Sequence, residues 1–550
     1  MIPVSRVRTS PRLTIKHESV FAHVLLLISY LWACSAVPAG AATAPLAVST
    51  QHNDNFRTGD YLSETALTPK TVTESGFGKL WQLQVIGRIY AQPLFAPNVT
   101  TTSGTHNLVL IVTALNNVYA YDADAPSTLY WKRNLGAPVP SSNYNNGGHT
   151  YYAVYPDIGI LSTPVIDPTT NTMYVVADVA VKGLSQFYLH ALSLSTGADE
   201  IGHGVLIAGS VRGTGNGSVG GLITFAGSEE LQRPALLLSN GTLFVAFGSH
   251  NDQTPAFGWM FAYSELTLSV QAIYCSGPNG SGLGSFWNSG QGAVVGAGGY
   301  LYTSTGNGPF DADTGGTELG QSVIKLSFSG TALTAIDYFT PWDVKHEDSA
   351  DEDLGSCGPL LVPGTNLLVQ GGKDGHFYVL DSQDLGEYQP LNNDQIVQDF
   401  QACESEIHGS PVYWQSGANK YVYVWSQGDY LKQYEMVAGM FNTTPSAESM
   451  LEAPNGGPGA TLSVSANGHK TGSGIVWAYI QDTPGGYNKL LPGVLRAYNA
   501  DNVGQEVWDS QMNSGRDAVG DFAKFVPPTV AHDKVFVATN SNYVAVYGLL

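Results

Sequence analysis

Thr163-Pro164-Val165, the run MYVVA at 173–177 and the run FYLHAL at 187–192 form the unit whose reading decides the fold. A proline opens the first segment, and the second is rich in β-branched and aromatic residues that suit a pleated, buried strand. Pro at the first position of a strand removes no ladder hydrogen bond, because pairing has not begun there. The same opening recurs at Gln92-Pro93-Leu94, Arg233-Pro234-Ala235, Gly358-Pro359-Leu360, Ser410-Pro411-Val412 and Pro527-Pro528-Thr529. It recurs without Pro at Gly292-Ala293-Val294 and Ala460-Thr461-Leu462, which makes eight copies.

Each copy leads into a second apolar strand, at 109–113, 173–177, 243–247, 301–305, 367–371, 421–425, 475–479 and 535–539. A third follows in several, at 118–121, 187–192, 260–263, 377–380 and 495–498. The repeat averages roughly 60 residues, long for a four-stranded unit but within reach of long loops. Period-2 alternation, Gly/Asn/Asp turns and the lack of a long 3.6-residue period favour antiparallel blades over βαβ units. The expected fold is all-β: an eight-bladed β-propeller of four-stranded antiparallel blades. The eighth repeat ends after three strands, whereas FGKLWQLQV at 77–85 is a strand without partners ahead of the first repeat. It is expected to complete the last blade; the alternative is an extension lying across the surface. The domains expected are a signal peptide at 1–41, an N-terminal extension at 42–76 and one propeller at 77–550.

Composition narrows the partners. Charged residues make up 13% of the 550 residues, and 24 Lys plus Arg stand against 45 Asp plus Glu, a net charge of −21. Such an acidic chain repels a phosphate backbone, so nucleic acid is excluded as a partner. Arg6, Arg8, Arg12 and Lys16 precede an apolar run at 20–37, and Ala39-Gly40-Ala41 supplies small residues for cleavage, which together match a secretory signal. No further stretch is long and apolar enough to span a bilayer, so the mature chain is expected to be secreted or periplasmic. Cys34 would suit a lipoprotein signal only if Trp32 were tolerated in the lipobox. Export permits a disulfide, and Cys357 with Cys403 is the expected pair, leaving Cys275 free and buried.

Three outer turns carry a pattern seen elsewhere. Ala191-x-Ser193-x-x-Thr196-Gly197-x-x-x-Ile201, with looser copies at Ala497-x-Asn499…Gly504-x-x-x-Trp508 and Ala120-x-Asp122…Trp131, resembles the A-x-D-x-x-T-G-x-x-x-W docking motif of eight-bladed quinoprotein alcohol dehydrogenases. In that family the Trp packs between blades, so these residues are expected to be structural. The resemblance also implies a site on the channel axis for pyrroloquinoline quinone (PQQ) and Ca²⁺. Thr305-Gly306-Asn307-Gly308-Pro309 resembles the stretch whose Asn ligates Ca²⁺, and Trp287 lies where the family places the Trp that stacks under the quinone. Gly248-Ser249-His250-Asn251-Asp252 resembles the segment with a metal-binding Glu, and Thr340-Pro341-Trp342-Asp343 the segment with the catalytic Asp.

The resemblance thus implies a metal set of Asp252, Asn307 and Asp343, hard oxygen donors suited to Ca²⁺, with Asp343 as the general base of a dehydrogenase. Residues 343–353 (DVKHEDSADED) also fit a solvated acidic run, in which Asp348, Asp351, Glu352 and Asp353 could bind Ca²⁺ without a quinone. Asp311-x-Asp313-x-Gly315 has Ser322 where an EF-hand needs Glu, which excludes that motif. The family's adjacent cysteines and following Arg are missing: the comparable stretch, 155–162, is YPDIGILS. Arg233 is therefore the expected cofactor cation beside Trp287 and Asn307, with Lys373 and Lys524 within reach, and His149, His408 and His469 are candidates for the channel mouth.

Three functions follow from these readings. The first is an exported propeller that binds a small-molecule or carbohydrate ligand, or a protein partner, at its channel face. The second is a PQQ/Ca²⁺-dependent dehydrogenase of alcohols or sugars, and the third a scaffold of the outer-membrane-assembly type.

Overall fold

The computed structural model describes residues 45–146, 149–150, 153–250, 252–485 and 489–550, with the side chains of 145, 146, 149 and 150 left out. The expected signal peptide, with Cys34, lies outside the described residues.

Eight small antiparallel sheets follow one another along the chain as the blades of a propeller. Their innermost strands are Leu94–Thr101, Val165–Asp167, Leu237–Ser239, Val294–Val295, Leu360–Leu361, Val412–Ser416, Thr461–Ser465 and Thr529–Ala531. Every one begins within three residues of the Pro, Gly or Ala that marks its repeat. The second strands, such as Thr172–Val181, Leu367–Gly371 and Ile475–Gln481, cover or nearly cover the segments expected from alternation. In the eighth sheet the fourth strand is Phe77–Gln84, antiparallel to Tyr543–Leu549, with Trp81 opposite Val546.

Apolar faces of neighbouring blades bury one another, and the docking turns lock them. Trp131 of blade 1 donates its indole N–H to Leu194 O of blade 2 at 2.7 Å. Its ring occupies the space where a Cβ on Gly197 (φ +70°) would stand, only 2.4 Å away, so the turn requires glycine. Trp508 of blade 7 meets Phe77 edge-on at 4.9 Å and Tyr547 at 5.7 Å, both in blade 8. Cys275, Cys357 and Cys403 are all free and buried, which corrects the expected Cys357–Cys403 disulfide. Each thiol sits among apolar side chains and is pushed up to about 12 by burial, so it behaves as a small hydrophobe.

The segment before Phe77 belongs to the hub. Val48 exchanges both backbone hydrogen bonds with Phe95 of blade 1, and Ser49 O accepts from Ile166 of blade 2. Thr50 donates to Leu236 O of blade 3. Asn55 O, Phe56 O and Thr58 O then accept from Val295, Leu361 and Tyr413 in blades 4, 5 and 6. Asp60–Tyr61 runs parallel to Val464–Ser465 in blade 7, and Glu64 Oε2 accepts from the Asp533 amide of blade 8. Residues 48–64 thus form a belt that visits all eight blades in order.

Arg57 anchors the belt. It is completely buried and donates to Ala293 O at 3.2 Å, Thr50 Oγ1 at 2.6 Å and Gln51 O at 2.8 Å. A Cβ on Gly292 would lie 2.5 Å from both the guanidinium and Ala235 O, so the close approach of the belt requires glycine at this position.

Candidate functional site

The belt contacts described above fall on the inner strands, within one residue of their start, or beyond them, whereas the segments further ahead of those strands, with the turns joining second and third strands, gather at the other end of the hub. There they enclose a cavity of about 290 Å³. Arg233, Trp287, His408 and Lys524 enter it from segments ahead of blades 3, 4, 6 and 8. Asp252 and Lys373 come from the turns of blades 3 and 5, and Asp353 from the connection between blades 4 and 5.

One side of the cavity is acidic. Carboxylate oxygens of Asp252, Asp351 and Asp353 all lie within 4.8 Å of one another. Ser249 Oγ donates to Asp252 at 3.0 Å. Burial, then repulsion from Asp353, pushes the Asp252 carboxyl up to about 6 despite that bond. Lys373 reaches into the group, 2.5 Å from Asp353 and 3.1 Å from Asp351. Burial works against its charge, but the two carboxylates hold its pKa above the ordinary lysine value. For Asp353, burial outweighs Lys373 and raises the carboxyl.

Asn307 stands directly behind this group. Its amide N–H donates to Asp353 and its Nδ2 to Asp351, each at 2.7 Å, while its Oδ1 accepts from Gln321 at 2.8 Å. Gln321 in turn accepts from the Leu354 amide, so one glutamine fixes both Asn307 and the backbone that carries Asp353.

The other side is basic and aromatic. Arg233 and Lys524 are both more than nine-tenths buried, with the guanidinium 5.0 Å and the ammonium 5.8 Å from the centre of the Phe525 ring. Burial and then the Arg233 charge push Lys524 down to about 7. Trp287, half-buried, lies 6.0 Å from the His408 ring and 6.1 Å from Phe525. His408 Nε2 is 2.8 Å from Glu406 Oε2.

Of the residues expected from the sequence, the structure brings Trp287, Arg233 and Asp252 to the cavity wall and Asn307 immediately behind it. Asp343 is elsewhere: it is the N-cap of the helix Val344–Ala350, and its carbonyl accepts from His346 and Glu347. That helix accounts for the difference. Asp351 (φ +63°) ends it in the left-handed conformation, and the chain then turns Asp353 toward Lys373. Asp353 thus holds the place beside Asp252 and Asn307 that was expected of Asp343. Lys373, Lys524 and His408 do line the cavity; His469 is bonded to Gln415 O on the surface, and the His149 side chain lies outside the described residues. Glu406 carried no sequence signal beyond standing two residues from His408.

This donor set suits the groups expected on the axis. Three converging carboxylates are hard oxygen donors for a cation such as Ca²⁺, and Arg233 and Lys524 suit the carboxylates of an anionic ligand.

No family model and no curated protein sequence matches the chain. Solved structures do. The quinohemoprotein alcohol dehydrogenase of Pseudomonas putida HK5 superposes with a TM-score of 0.52 at 12% identity, over 92% of this chain and 80% of that one. Europium-containing methanol dehydrogenase gives 0.55 at 13% identity, over 92% and 98%. The quinohemoprotein alcohol dehydrogenase of Comamonas testosteroni gives 0.50 at 11% identity, over 91% and 80%. At these identities the likeness is one of fold.

Proposed function

We propose that this propeller, which shares the fold of the quinoprotein alcohol dehydrogenases, binds a planar, carboxylate-bearing small molecule of the PQQ class in its hub cavity, together with a hard divalent cation. The observation that carries the reading is the division of one cavity into an oxygen-donor side, Asp252, Asp351 and Asp353, and a basic, aromatic side, Arg233, Lys524 and Trp287. Arg233 and Lys524 would pair with ligand carboxylates, which relieves the repulsion between two buried cations. Trp287 offers a ring to a planar ligand. Lys373 would share Asp351 and Asp353 with the metal ion and keep the acidic side from excess negative charge.

A second reading, a PQQ/Ca²⁺-dependent dehydrogenase of alcohols or sugars, is favoured by the position of Asp353 beside Asp252 and Asn307. The chemistry that such a quinone supplies when bound is a two-electron sink. Asp353, with its raised pKa, would take the substrate hydroxyl proton, while Asn307 and Gln321 hold the carboxylate in place. The expected export of the chain is part of both readings.

Calorimetric titration of the purified chain with PQQ, with and without CaCl₂, tests the first reading. Saturable binding of one PQQ per chain that is lost in Trp287→Ala and weakened in Lys524→Ala is the expected result. Absence of binding at micromolar PQQ overturns it. Dye reduction by an alcohol or sugar in the loaded protein, abolished in Asp353→Asn, would establish the second.

A further inference from the structure

A larger cleft, about 540 Å³, opens on the same face at the seam between the last blade and the first. Three kinds of segment build it: the turn at 540–542 of blade 8, the connections carrying Arg88 and Tyr155, and Asp521 ahead of the eighth inner strand. Ala153 lines the hub cavity and Tyr155 this cleft, so along the chain a single residue, Val154, separates the two linings.

The walls are fixed. Arg88 donates to Tyr155 O, and its guanidinium lies 5.7 Å from the centre of the Tyr155 ring. Asn542 Oδ1 accepts from the Gly87 amide at 3.0 Å, which ties blade 8 to blade 1. Ser541 donates to Asp521 Oδ2 at 2.9 Å. Asn540 Nδ2 is spent on Phe522 O, and its side-chain carbonyl oxygen is buried without a hydrogen-bond partner.

We infer that this cleft is a binding site for a neutral carbohydrate, separate from the hub cavity. Its chemistry is the basis. Tyr155 is 47% exposed, a large amount for an aromatic ring, and offers a flat apolar surface to the C–H face of a sugar. Around it stand planar polar groups that serve hydroxyls in both directions: the carboxylates of Asp157 and Asp521 accept, and Arg88 and the Asn542 side-chain amide donate. Two carboxylates, Asp157 and Asp521, line the cleft with Arg88, a balance that disfavours an anionic ligand. Exposed apolar side chains, Ile86 and Leu490, are interspersed with these polar groups and make no continuous groove for a lipid or an apolar peptide. The inference does not depend on what the hub cavity binds.

Saturation-transfer NMR and calorimetry of the whole chain with cellotriose, maltotriose and chitotriose provide the test. At least one probe is expected to bind, with affinity reduced about tenfold or more in Tyr155→Ala, a change of about 1.4 kcal/mol. Tyr155→Phe should keep most of the affinity, and Asp521→Asn should weaken it. Trp287→Ala, in the hub, should leave it unchanged. No transfer from any of the three probes overturns the inference. So does binding that survives Tyr155→Ala, or that disappears in Trp287→Ala, since sugar would then occupy the hub.

Discussion

The two ends of the hub are built from the same eight repeats and have opposite chemistry. At one end the belt at 48–64 spends backbone groups on the inner strands, and its own side chains, Gln51, His52 and Arg57, are buried there. At the other end the connections between blades leave charged side chains around a cavity. Repetition supplies the scaffold, and the non-repeating segments decide which end is structural and which is free to bind. If that division holds, substitutions at the belt should change stability with little effect on binding, and those at the cavity should do the reverse.

The largest effect is expected from Arg57→Ala. It empties a buried volume and leaves carbonyls of Gln51 and Ala293 without a donor, so urea unfolding should show a loss of about 3 kcal/mol or more. A loss below about 1 kcal/mol would mean that the belt is not the structural end. Asp252→Asn at the opposite end should weaken Ca²⁺ binding about tenfold or more, measured by calorimetry, while the unfolding midpoint is held or raised, because repulsion from Asp353 is removed.

A pH series sharpens the contrast. Asp60, in the belt, is pushed up to about 7 by burial and by Asp54. Between about pH 4, where a carboxyl ionises in the unfolded chain, and pH 7 the folded chain keeps a proton that the unfolded chain has lost. Its contribution to stability is therefore complete below that window and falls as pH rises through it. Asp60→Asn should flatten this slope in urea unfolding at several pH values; an unchanged slope would show that Asp60 is already ionised in the fold. The smallest effect is expected from Ser249→Ala, which removes one 3.0 Å bond to Asp252 and should change Ca²⁺ affinity by a factor of about two to ten.

The blades were legible because their signal is local. Alternation, a Pro or Gly at the start and a turn at each end repeat often enough to be counted, and Trp131 and Trp508 marked the contacts between blades. The belt was not legible. Its contacts are made by main-chain groups of residues such as Ser49, Asn55 and Gly59, which leave no hydropathy pattern. The site was legible in part. Trp287, Asp252 and Asn307 were placed by the resemblance of their stretches to those of the quinoprotein family, and Arg233 by its position at the start of a strand motif. Asp343 and Asp353 belong to one acidic run, and telling them apart required knowing that 344–350 is helical and that Asp351 turns the chain back toward the hub. The Cys357–Cys403 pairing was argued from similar positions in successive repeats, but equivalent positions on adjacent blades do not by themselves bring two sulfur atoms to bonding geometry.

The pairing of Phe77–Gln84 with Tyr543–Leu549 has a consequence for biosynthesis. Both that strand and the belt leave the ribosome long before their last partners, around Asp533 and Leu549. Until the eighth blade is made, the nascent chain must carry an unpaired strand and a segment with nothing to encircle. Such exposed strand edges invite aggregation, so chaperone demand should fall only once the eighth blade has emerged.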